Sequence, residues 1–290
     1  MSLFMGINFM LIFIANDYAD AFPRNKIEKS YANAKHLREF TDQLQRNDNT
    51  QLSSNTISFP IRRLVLLLAG SFNPVTIGHL RMPEIARDYY CLHSIQLLEV
   101  IISPVNEFYN KTSLTPATHR IEMLRAAIYN DNKWLSVDTW EAEQPFWTPV
   151  NLALDHHYKI IKQKYGEDTE LRLLAGSDLV QEMLNPTKWS PKVINYIMRT
   201  YGVTCITRLS DTEVNRGDSI IEYITKEMPN QWKQHVEFIV DTMTNDISST
   251  KVRAQLAEGY SVKYIVPDAA IAIIYYYGLY NSTAPISLFT

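Results

Sequence analysis

Residues 64–79 read LVLLLAGSFNPVTIGH and contain no charged side chain before the terminal histidine. The apolar run 64–69 is typical of a strand buried on both faces of a parallel sheet. The run ends at Gly70, and a polar turn containing Pro74 follows it. Helical spacing of apolar residues then predicts a helix over 80–90. The stretch therefore predicts a strand, a glycine turn and a helix in direct succession.

A turn of this kind is a candidate anion site. The first N–H groups of a helix have no partner within the helix, and the positive end of the helix dipole lies beside them. In open α/β sheets, ligands bind at the carboxyl ends of the strands. The turn has neither the G-x-x-x-x-G-K-(S/T) spacing of a Walker A loop nor the G-x-G-x-x-G of a dinucleotide fold. We therefore expect a ligand with phosphates, met by the imidazole of His79 rather than by a P-loop lysine.

The order of predicted elements indicates the fold class. Helical periods separate six apolar runs, and this alternation favours βαβ units. We expect an α/β protein with a doubly wound, Rossmann-like parallel sheet and helices on both faces. The six predicted strands cover 64–69, 95–103, 135–139, 171–175, 203–207 and 236–240.

Composition restricts the domain organisation and the classes of function that the chain can have. A chain of 290 residues with 46% hydrophobic content suits one sizeable catalytic domain, placed at 61–283, with an N-terminal extension over 1–60 and a tail over 284–290. The net charge of −3 argues against nucleic-acid binding, which favours a basic surface. The only two cysteines, Cys91 and Cys205, are far apart and suit a reducing compartment without a cysteine metal site.

The extension begins with an apolar stretch, MSLFMGINFMLIFIA, at residues 1–15. It lacks the positively charged start of a secretory signal and is shorter than the ~20 residues that span a bilayer. These features favour an extension without a targeting role, and the apolar stretch leaves membrane association as the alternative. We expect a poorly ordered extension with one amphipathic helix over 27–44.

A second anion-binding pattern lies at residues 245–253, NDISSTKVR. The Ser-Ser-Thr cluster predicts the N-cap of a helix that ends near Gly259. Arg253 is predicted in the first turn, where its guanidinium and the helix N–H groups can converge on one anion. Taken alone, an ordinary capped helix with a solvated arginine explains the same residues.

The two patterns together resemble the nucleotidylyltransferase superfamily. Residues 70–79 fill every specified position of its G-x-F-x-P-x-(H/T)-x-G-H signature, and residues 247–253 match its I-S-S-T-x-x-R element. Five further blocks, in the same order, resemble the eukaryotic-type nicotinamide-mononucleotide adenylyltransferases. These blocks are 102–105 (ISPV) with Tyr109 and Lys111, 116–126 (PATHRIEMLRA), 137–141 (VDTWE) with Trp147, 173–179 (LLAGSDL) with Trp189, and 264–268 (YIVPD).

This resemblance implies adenylyl transfer from ATP to nicotinamide mononucleotide or nicotinate mononucleotide, which forms NAD or deamido-NAD and pyrophosphate. The acceptor phosphate is already ionised at neutral pH, so catalysis consists of positioning and electrostatic stabilisation. Mg²⁺ is implied as a cofactor held by substrate phosphates and water, so no metal-binding residue of the protein is expected.

The resemblance also assigns roles to residues. It implies that His79, Lys111 and Arg253 are catalytic. The implied ATP-binding residues are Gly70, Ser71, Phe72, Thr76, Gly78, His79, Gly176, Asp178, Asn245, Asp246, Ser249, Thr250 and Arg253. The implied nicotinamide-nucleotide residues are Ser71, Tyr109, Lys111, Trp147 and Trp189. From the residues alone, Asp178 is also readable as a helix N-cap, Lys111 as a solvated loop residue, and the two tryptophans as core residues.

The chain departs from the family at a few positions. Val150 stands where relatives have a threonine that contacts the nicotinamide side, and Thr148 could supply that hydroxyl instead. Lys188 replaces a leucine before Trp189. The segment 158–170 lacks the basic insert of nuclear members, so we expect a cytoplasmic or organelle-associated protein rather than a nuclear one. The sequence leaves homo-oligomerisation open, and it leaves two alternatives for function: a related transferase with another phosphate acceptor, and a non-catalytic chaperone or scaffold.

Overall fold

A computed structural model describes residues 62–109, 113–130, 133–208, 220–243 and 246–282. These residues form one six-stranded sheet of order β3-β2-β1-β4-β5-β6, in which every neighbouring pair is parallel. The order is that of a Rossmann-like fold, and all six predicted strands are confirmed. The strands are β1 (Arg62–Gly70), β2 (Ile95–Pro104), β3 (Leu135–Val137), β4 (Thr169–Gly176), β5 (Val203–Arg208) and β6 (Val236–Asp241).

Helices cover both faces of the sheet. Their bounds are α1 (Ile77–Leu92), α2 (Ala117–Ala127), α3 (Val150–Tyr165), α4 (Ser177–Met183), α5 (Pro191–Thr200), α6 (Ile220–Glu227), α7 (Asn230–Lys233), α8 (Ser249–Ala257) and α9 (Asp268–Tyr277), followed by a short 3₁₀ helix (Leu279–Asn281). Helix α1 begins three residues earlier than predicted, because Thr76 rather than a later residue is its N-cap.

Strand β1 explains why the sheet is doubly covered. Its alternate residues Leu64, Leu66 and Leu68 pack in one core with α1, α2, α8 and α9. The intervening residues Val65 and Leu67 pack in a second core with α3 to α7. Because every one of these side chains is buried, the strand needs apolar residues in an unbroken run.

The path of the chain places the functional site. It leaves β1 towards β2 and β3, then returns to β4 on the other side of β1. Loops at the carboxyl ends of β1 and β4 therefore diverge, which is where ligands bind in such sheets. Gly70 ends β1 and Gly176 ends β4, so both glycines lie at this switch point.

The structure does not test the domain boundaries. The predicted extension over 1–60 and the tail over 284–290 fall outside the described residues. Within the described ranges, every helix is too short or too polar to span a bilayer.

A buried polar network braces the sheet away from the site. The Tyr90 hydroxyl lies 2.6 Å from Thr204 Oγ1 and donates to Glu237 Oε2 at 2.7 Å. Arg172 Nη1 donates to the same carboxylate oxygen at 2.6 Å. Burial is the largest influence on Tyr90 and raises its pKa, so the hydroxyl keeps its proton. The Tyr90 hydroxyl links α1 to β5 and β6, and the Glu237 carboxylate links this network to β4.

We expect Tyr90→Phe to lower the free energy of unfolding by about 1–3 kcal/mol, because a buried threonine and a carboxylate lose a partner. Urea denaturation measures the change. Tyr129→Phe is the control, since Tyr129 is exposed on the surface. Equal stability of the two variants would contradict a structural role for the network.

Candidate nucleotide-binding site

The loop after β1 has a tightly constrained start. Gly70 accepts a hydrogen bond from the Val105 backbone N–H at 2.9 Å. A Cβ on Gly70 would lie 3.2 Å from the Phe72 ring, so a larger residue would displace that ring. Phe72 itself has a φ of 44°, is buried, and packs edge-on against His79 with ring centroids 5.2 Å apart. A positive φ is uncommon for a phenylalanine, so contacts with the surrounding residues hold the loop in this conformation.

His79 and Thr76 cap α1 reciprocally. The Thr76 backbone N–H donates to His79 Nδ1 at 3.0 Å, and Thr76 Oγ1 lies 2.8 Å from the same nitrogen. Because Nδ1 accepts a hydrogen bond, the proton of the neutral imidazole belongs on Nε2. Nε2 is then a hydrogen-bond donor, the role that phosphate binding requires.

The structure brings the two predicted phosphate patterns together. Ser248 caps α8 by accepting from the Lys251 N–H at 3.3 Å, as the sequence predicted. Ser249 Oγ donates to the Pro74 carbonyl at 2.8 Å, and Arg253 Nη1 donates to the Asn73 carbonyl at 2.9 Å. The start of α8 is thus fastened to the loop after β1 across more than 170 residues of sequence.

Arg253 lies slightly deeper in α8 than predicted. The helix begins at Ser249, so Arg253 is its fifth residue and lies beyond the first turn. From that position Nη2 reaches Thr250 Oγ1 at 3.4 Å. The predicted position in the first turn was wrong by about one residue, because Ser248 rather than a later residue of the Ser-Ser-Thr cluster is the cap.

Asn73 anchors the loop from the inside. This fully buried side chain donates through Nδ2 to the Ser113 carbonyl at 2.9 Å. Its Oδ1 accepts from the Thr115 N–H at 3.2 Å and from the Tyr280 hydroxyl at 3.0 Å. Burial raises the pKa of Tyr280 to about 12, so the phenol keeps the proton that it donates. Asn73 therefore ties the phosphate loop to the segment before α2 and to the end of the described chain.

Arg120 is a site-supporting residue that the sequence analysis did not identify. It is fully buried in α2, and it donates to three backbone carbonyls: Thr115 at 2.8 Å, Ser71 at 2.9 Å and Val105 at 2.6 Å. Burial lowers the pKa of the guanidinium, against the opposing charges of Glu107 and Glu141. One signal was available in the sequence: Arg120 occupies the buried face of α2 beside Met123 and Leu124.

We expect Arg120→Lys to lower the free energy of unfolding by at least about 3 kcal/mol, because one ammonium group cannot reach three carbonyls in fork geometry. Chemical denaturation gives the value. Arg125→Lys is the matched control, since Arg125 lies on the same helix and is exposed. A fully stable Arg120→Lys protein would show that the three hydrogen bonds are dispensable.

Glu141 is a buried carboxyl group close to the site. Ser103 Oγ donates to Glu141 Oε2 at 2.6 Å. Burial raises the pKa of Glu141 to about 7, with Asp138 adding to the shift, whereas Ser103 and the Arg120 charge oppose it. The group therefore titrates near neutral pH.

We expect Glu141 to make the protein less stable as pH rises from about 4.5 to about 7. In that window the folded carboxyl holds a proton that the unfolded one has lost, so the contribution to stability falls by up to about 1.4 kcal/mol per pH unit. Unfolding by urea at several pH values measures the slope. Glu141→Gln should remove this component, and an unchanged pH dependence would refute the assignment.

Glycine is required at the end of β4. Gly176 is the N-cap of α4, and a Cβ there would lie 2.5 Å from Asp178 Oδ1. Asp178 itself lies within the first turn of α4, so its interpretation as the N-cap was wrong. The carboxylate sits over the glycine backbone at the switch point of the sheet.

The predicted acceptor residues are only partly described. Trp147 is 50% exposed, so its interpretation as a core residue was wrong, and its ring centroid lies 6.5 Å from that of Tyr109. Trp189 is half-buried against the second core. Lys111 and Asn245 lie outside the described residues.

The structure shows the positions and partners of the residues that depart from the family pattern. Val150 is the first residue of α3. The buried Thr148 hydroxyl donates to the Phe146 carbonyl at 3.4 Å, so it is directed to the backbone. Lys188 pairs with Glu182 at 2.8 Å on the surface, and Asp246 pairs with Lys251.

Comparisons with known proteins identify the family of this chain. The cytidylyltransferase-like family model matches residues 67–255, which include both phosphate patterns. The "Nicotinamide/nicotinic acid mononucleotide adenylyltransferase" of Schizosaccharomyces pombe is 35% identical over 233 residues, covering 77% of this chain and 62% of that protein. Its bovine namesake, numbered 1, is 33% identical over 259 residues, covering 76% of this chain and 89% of that protein.

A solved structure supports the fold. The Plasmodium falciparum nicotinic acid mononucleotide adenylyltransferase complexed with NaAD superposes with a TM-score of 0.56. The alignment covers 76% of this chain and 98% of the other, at 21% sequence identity. The chain thus spans nearly the whole of that structure, whereas it spans less than two thirds of the fission-yeast relative.

Proposed function

Because the chain belongs to the cytidylyltransferase-like family and, within it, to the nicotinamide/nicotinic acid mononucleotide adenylyltransferases, we propose that it makes dinucleotides from ATP. The acceptor is nicotinamide mononucleotide or nicotinate mononucleotide. A phosphate oxygen of the acceptor attacks the α-phosphorus of ATP in line. The bond from that phosphorus to the bridging oxygen breaks, and pyrophosphate leaves with the electron pair.

One observation carries the proposal: Ser249 and Arg253 of α8 are hydrogen-bonded to the loop that begins the His79 helix. These hydrogen bonds bring together the N-termini of α1 and α8, the His79 imidazole and the Arg253 guanidinium at the carboxyl end of β1. Such a set of donors suits a polyphosphate chain, which carries several negative charges. The arrangement supports ATP as the substrate at this place.

The reaction needs little acid–base chemistry from the protein. The acceptor phosphate has a second pKa near 6 and is already ionised at neutral pH, so a general base is unnecessary. We assign His79 Nε2 and Arg253 to the charge that accumulates on the leaving pyrophosphate. Donors held in place before reaction stabilise that charge without reorganisation, which is how most phosphoryl-transfer sites act.

The residues around the loop fit a magnesium ion carried by the substrate. Residues 70–76 and 248–253 contain hydroxyl, amide and cationic groups but no carboxylate. Mg²⁺ keeps several waters and binds through substrate phosphates where dedicated carboxylates are lacking. When bound, it would neutralise charge on the β- and γ-phosphates, and the protein would contribute by holding those phosphates.

We expect His79→Ala and His79→Asn to lower turnover by about 10²–10³-fold, because each removes the Nε2 donor. The asparagine variant keeps an acceptor for the Thr76 N–H, so it preserves the helix cap. Steady-state kinetics and melting temperature separate the two roles. If His79→Asn were as active as the wild type, the imidazole would serve only as a cap.

We expect Trp147→Ala to raise the KM for nicotinamide mononucleotide about thirtyfold with little effect on the KM for ATP. The pyridinium ring loses a cation–π contact worth up to ~2 kcal/mol. Phe146→Ala is the control, since Phe146 is a neighbouring aromatic residue that is also exposed. Val150→Thr should lower the same KM if a hydroxyl contact is missing. Equal changes in both KM values would refute the stacking assignment.

The activity is tested by the fate of labelled phosphate. With nicotinamide mononucleotide, ATP labelled on the α-phosphate should give labelled dinucleotide, and ATP labelled on the γ-phosphate should give labelled pyrophosphate. Other phosphate acceptors, assayed in parallel, test the alternative of a related transferase. Tight ATP binding without any transfer would instead favour the non-catalytic chaperone or scaffold role.

A further inference from the structure

A cluster of potential metal ligands lies at the carboxyl end of the edge strand β3. Asp138 follows the last residue of β3, and His156 and His157 lie on α3. One ligand atom from each of the three side chains lies within 4.8 Å of the other two. Among the described residues, this is the one group of histidine, cysteine and carboxylate side chains with such spacing.

His157 is the unusual member of this cluster. Its side chain is fully buried, yet neither Nδ1 nor Nε2 has a hydrogen-bond partner within the protein. Nε2 lies 3.7 Å from Asp138 Oδ1, too far for a hydrogen bond. A buried imidazole without partners is costly, and a bound ion or water would satisfy it.

The other two ligands are held in place. The Asp138 backbone N–H donates to the Ile102 carbonyl at 3.0 Å, and its Oδ1 accepts from the Trp140 N–H at 2.9 Å. His156 stacks on the Trp140 ring, with centroids 4.0 Å apart and an angle of 8° between planes.

We propose that Asp138, His156 and His157 bind one divalent transition-metal ion, with Zn²⁺ as the best fit and water as the fourth ligand. Two imidazoles and a carboxylate form a donor set typical of zinc, whereas Mg²⁺ prefers oxygen alone. Bonds of about 2.0–2.1 Å in a tetrahedron place ligand atoms about 3.3 Å apart. The separation between Asp138 Oδ1 and His157 Nε2 is 3.7 Å, and all three ligand atoms lie within 4.8 Å of one another, so the side chains would move closer together on binding the ion.

The proposed ion would tie the end of β3 to α3. Between these elements lies the segment 141–149, which carries Trp147 and leads into α3. The site is separate from any magnesium that ATP brings, and it does not depend on the proposed function. A chain without adenylyl transfer activity would still bind zinc here.

The test uses the full, untagged chain after removal of bound metal with a chelator, in buffer without nucleotide. Calorimetric titration with ZnCl₂ should show one ion per chain with low-micromolar or tighter affinity, and millimolar MgCl₂ should not displace it. Zinc should also raise the melting temperature. Replacement by Co²⁺ should produce the visible absorption bands of a tetrahedral site.

Two conservative variants locate the ion. His156→Phe keeps a ring to stack on Trp140, and Asp138→Asn keeps an acceptor for the Trp140 N–H. Each should weaken zinc binding by more than about tenfold, because even partners of metal ligands contribute that much. His93→Phe is the matched control, since exposed His93 also packs on an aromatic ring, that of Tyr89.

Failure of the wild-type chain to bind zinc stoichiometrically would overturn the proposal without reference to any variant. Unchanged affinity in both His156→Phe and Asp138→Asn would also overturn it and indicate a different zinc site. A larger loss of zinc affinity in His93→Phe than in either variant would likewise overturn the proposal. A variant that does not fold leaves the wild-type stoichiometry and the Co²⁺ spectrum as the deciding results.

Discussion

Hydrogen bonds to the carbonyl oxygens of one loop are the constraint on which the rest of the site depends. Arg120 holds the Ser71 carbonyl, Arg253 holds that of Asn73, and Ser249 holds that of Pro74. In a trans peptide the N–H points opposite to the C=O. Because donors of the protein hold the Ser71 and Pro74 carbonyls, the N–H groups of the following residues, Phe72 and Val75, are directed to the other side. The Asn73 carbonyl fixes the backbone only, since Pro74 has no N–H. The loop is thereby prepared to receive an anion before any ligand arrives.

The same bonds couple parts of the chain that are distant in sequence. Arg253 and Ser249 belong to α8 but act on the loop after β1, and Arg120 acts on it from α2. Ser249 and Arg253 therefore hold the loop and are also assigned to phosphate binding. Ligand binding and local stability should consequently be linked, because a ligand that binds only the folded site stabilises it.

The parts of the fold that depend on local sequence were predictable. The strands followed from apolar runs, because side chains on both faces of the sheet pack in apolar cores. The cap of α8 followed from its serine cluster. The start of α1 was missed by three residues because its cap is a threonine whose partner is a histidine rather than the usual glutamate or glutamine.

The parts that depend on distant contacts were not predictable from residue patterns. Arg120 was missed because its three partners are backbone carbonyls in separate loops, and backbone groups leave no mark in the sequence. The alternative interpretation of Asp178 as an N-cap was wrong because Gly176, which has no side chain, is the cap of α4. The exposure of Trp147 could not be read from its type, since most tryptophans are largely buried.

The most direct test of this account is a crystal structure of the protein with a non-hydrolysable ATP analogue and nicotinamide mononucleotide. The triphosphate should lie between the loop after β1 and the start of α8, within hydrogen-bond distance of His79 Nε2 and Arg253. The carbonyls of Ser71, Asn73 and Pro74 should keep their present partners. A triphosphate bound elsewhere, or a loop whose carbonyls exchange those partners when the ligand binds, would contradict the central claim that the site is formed in advance.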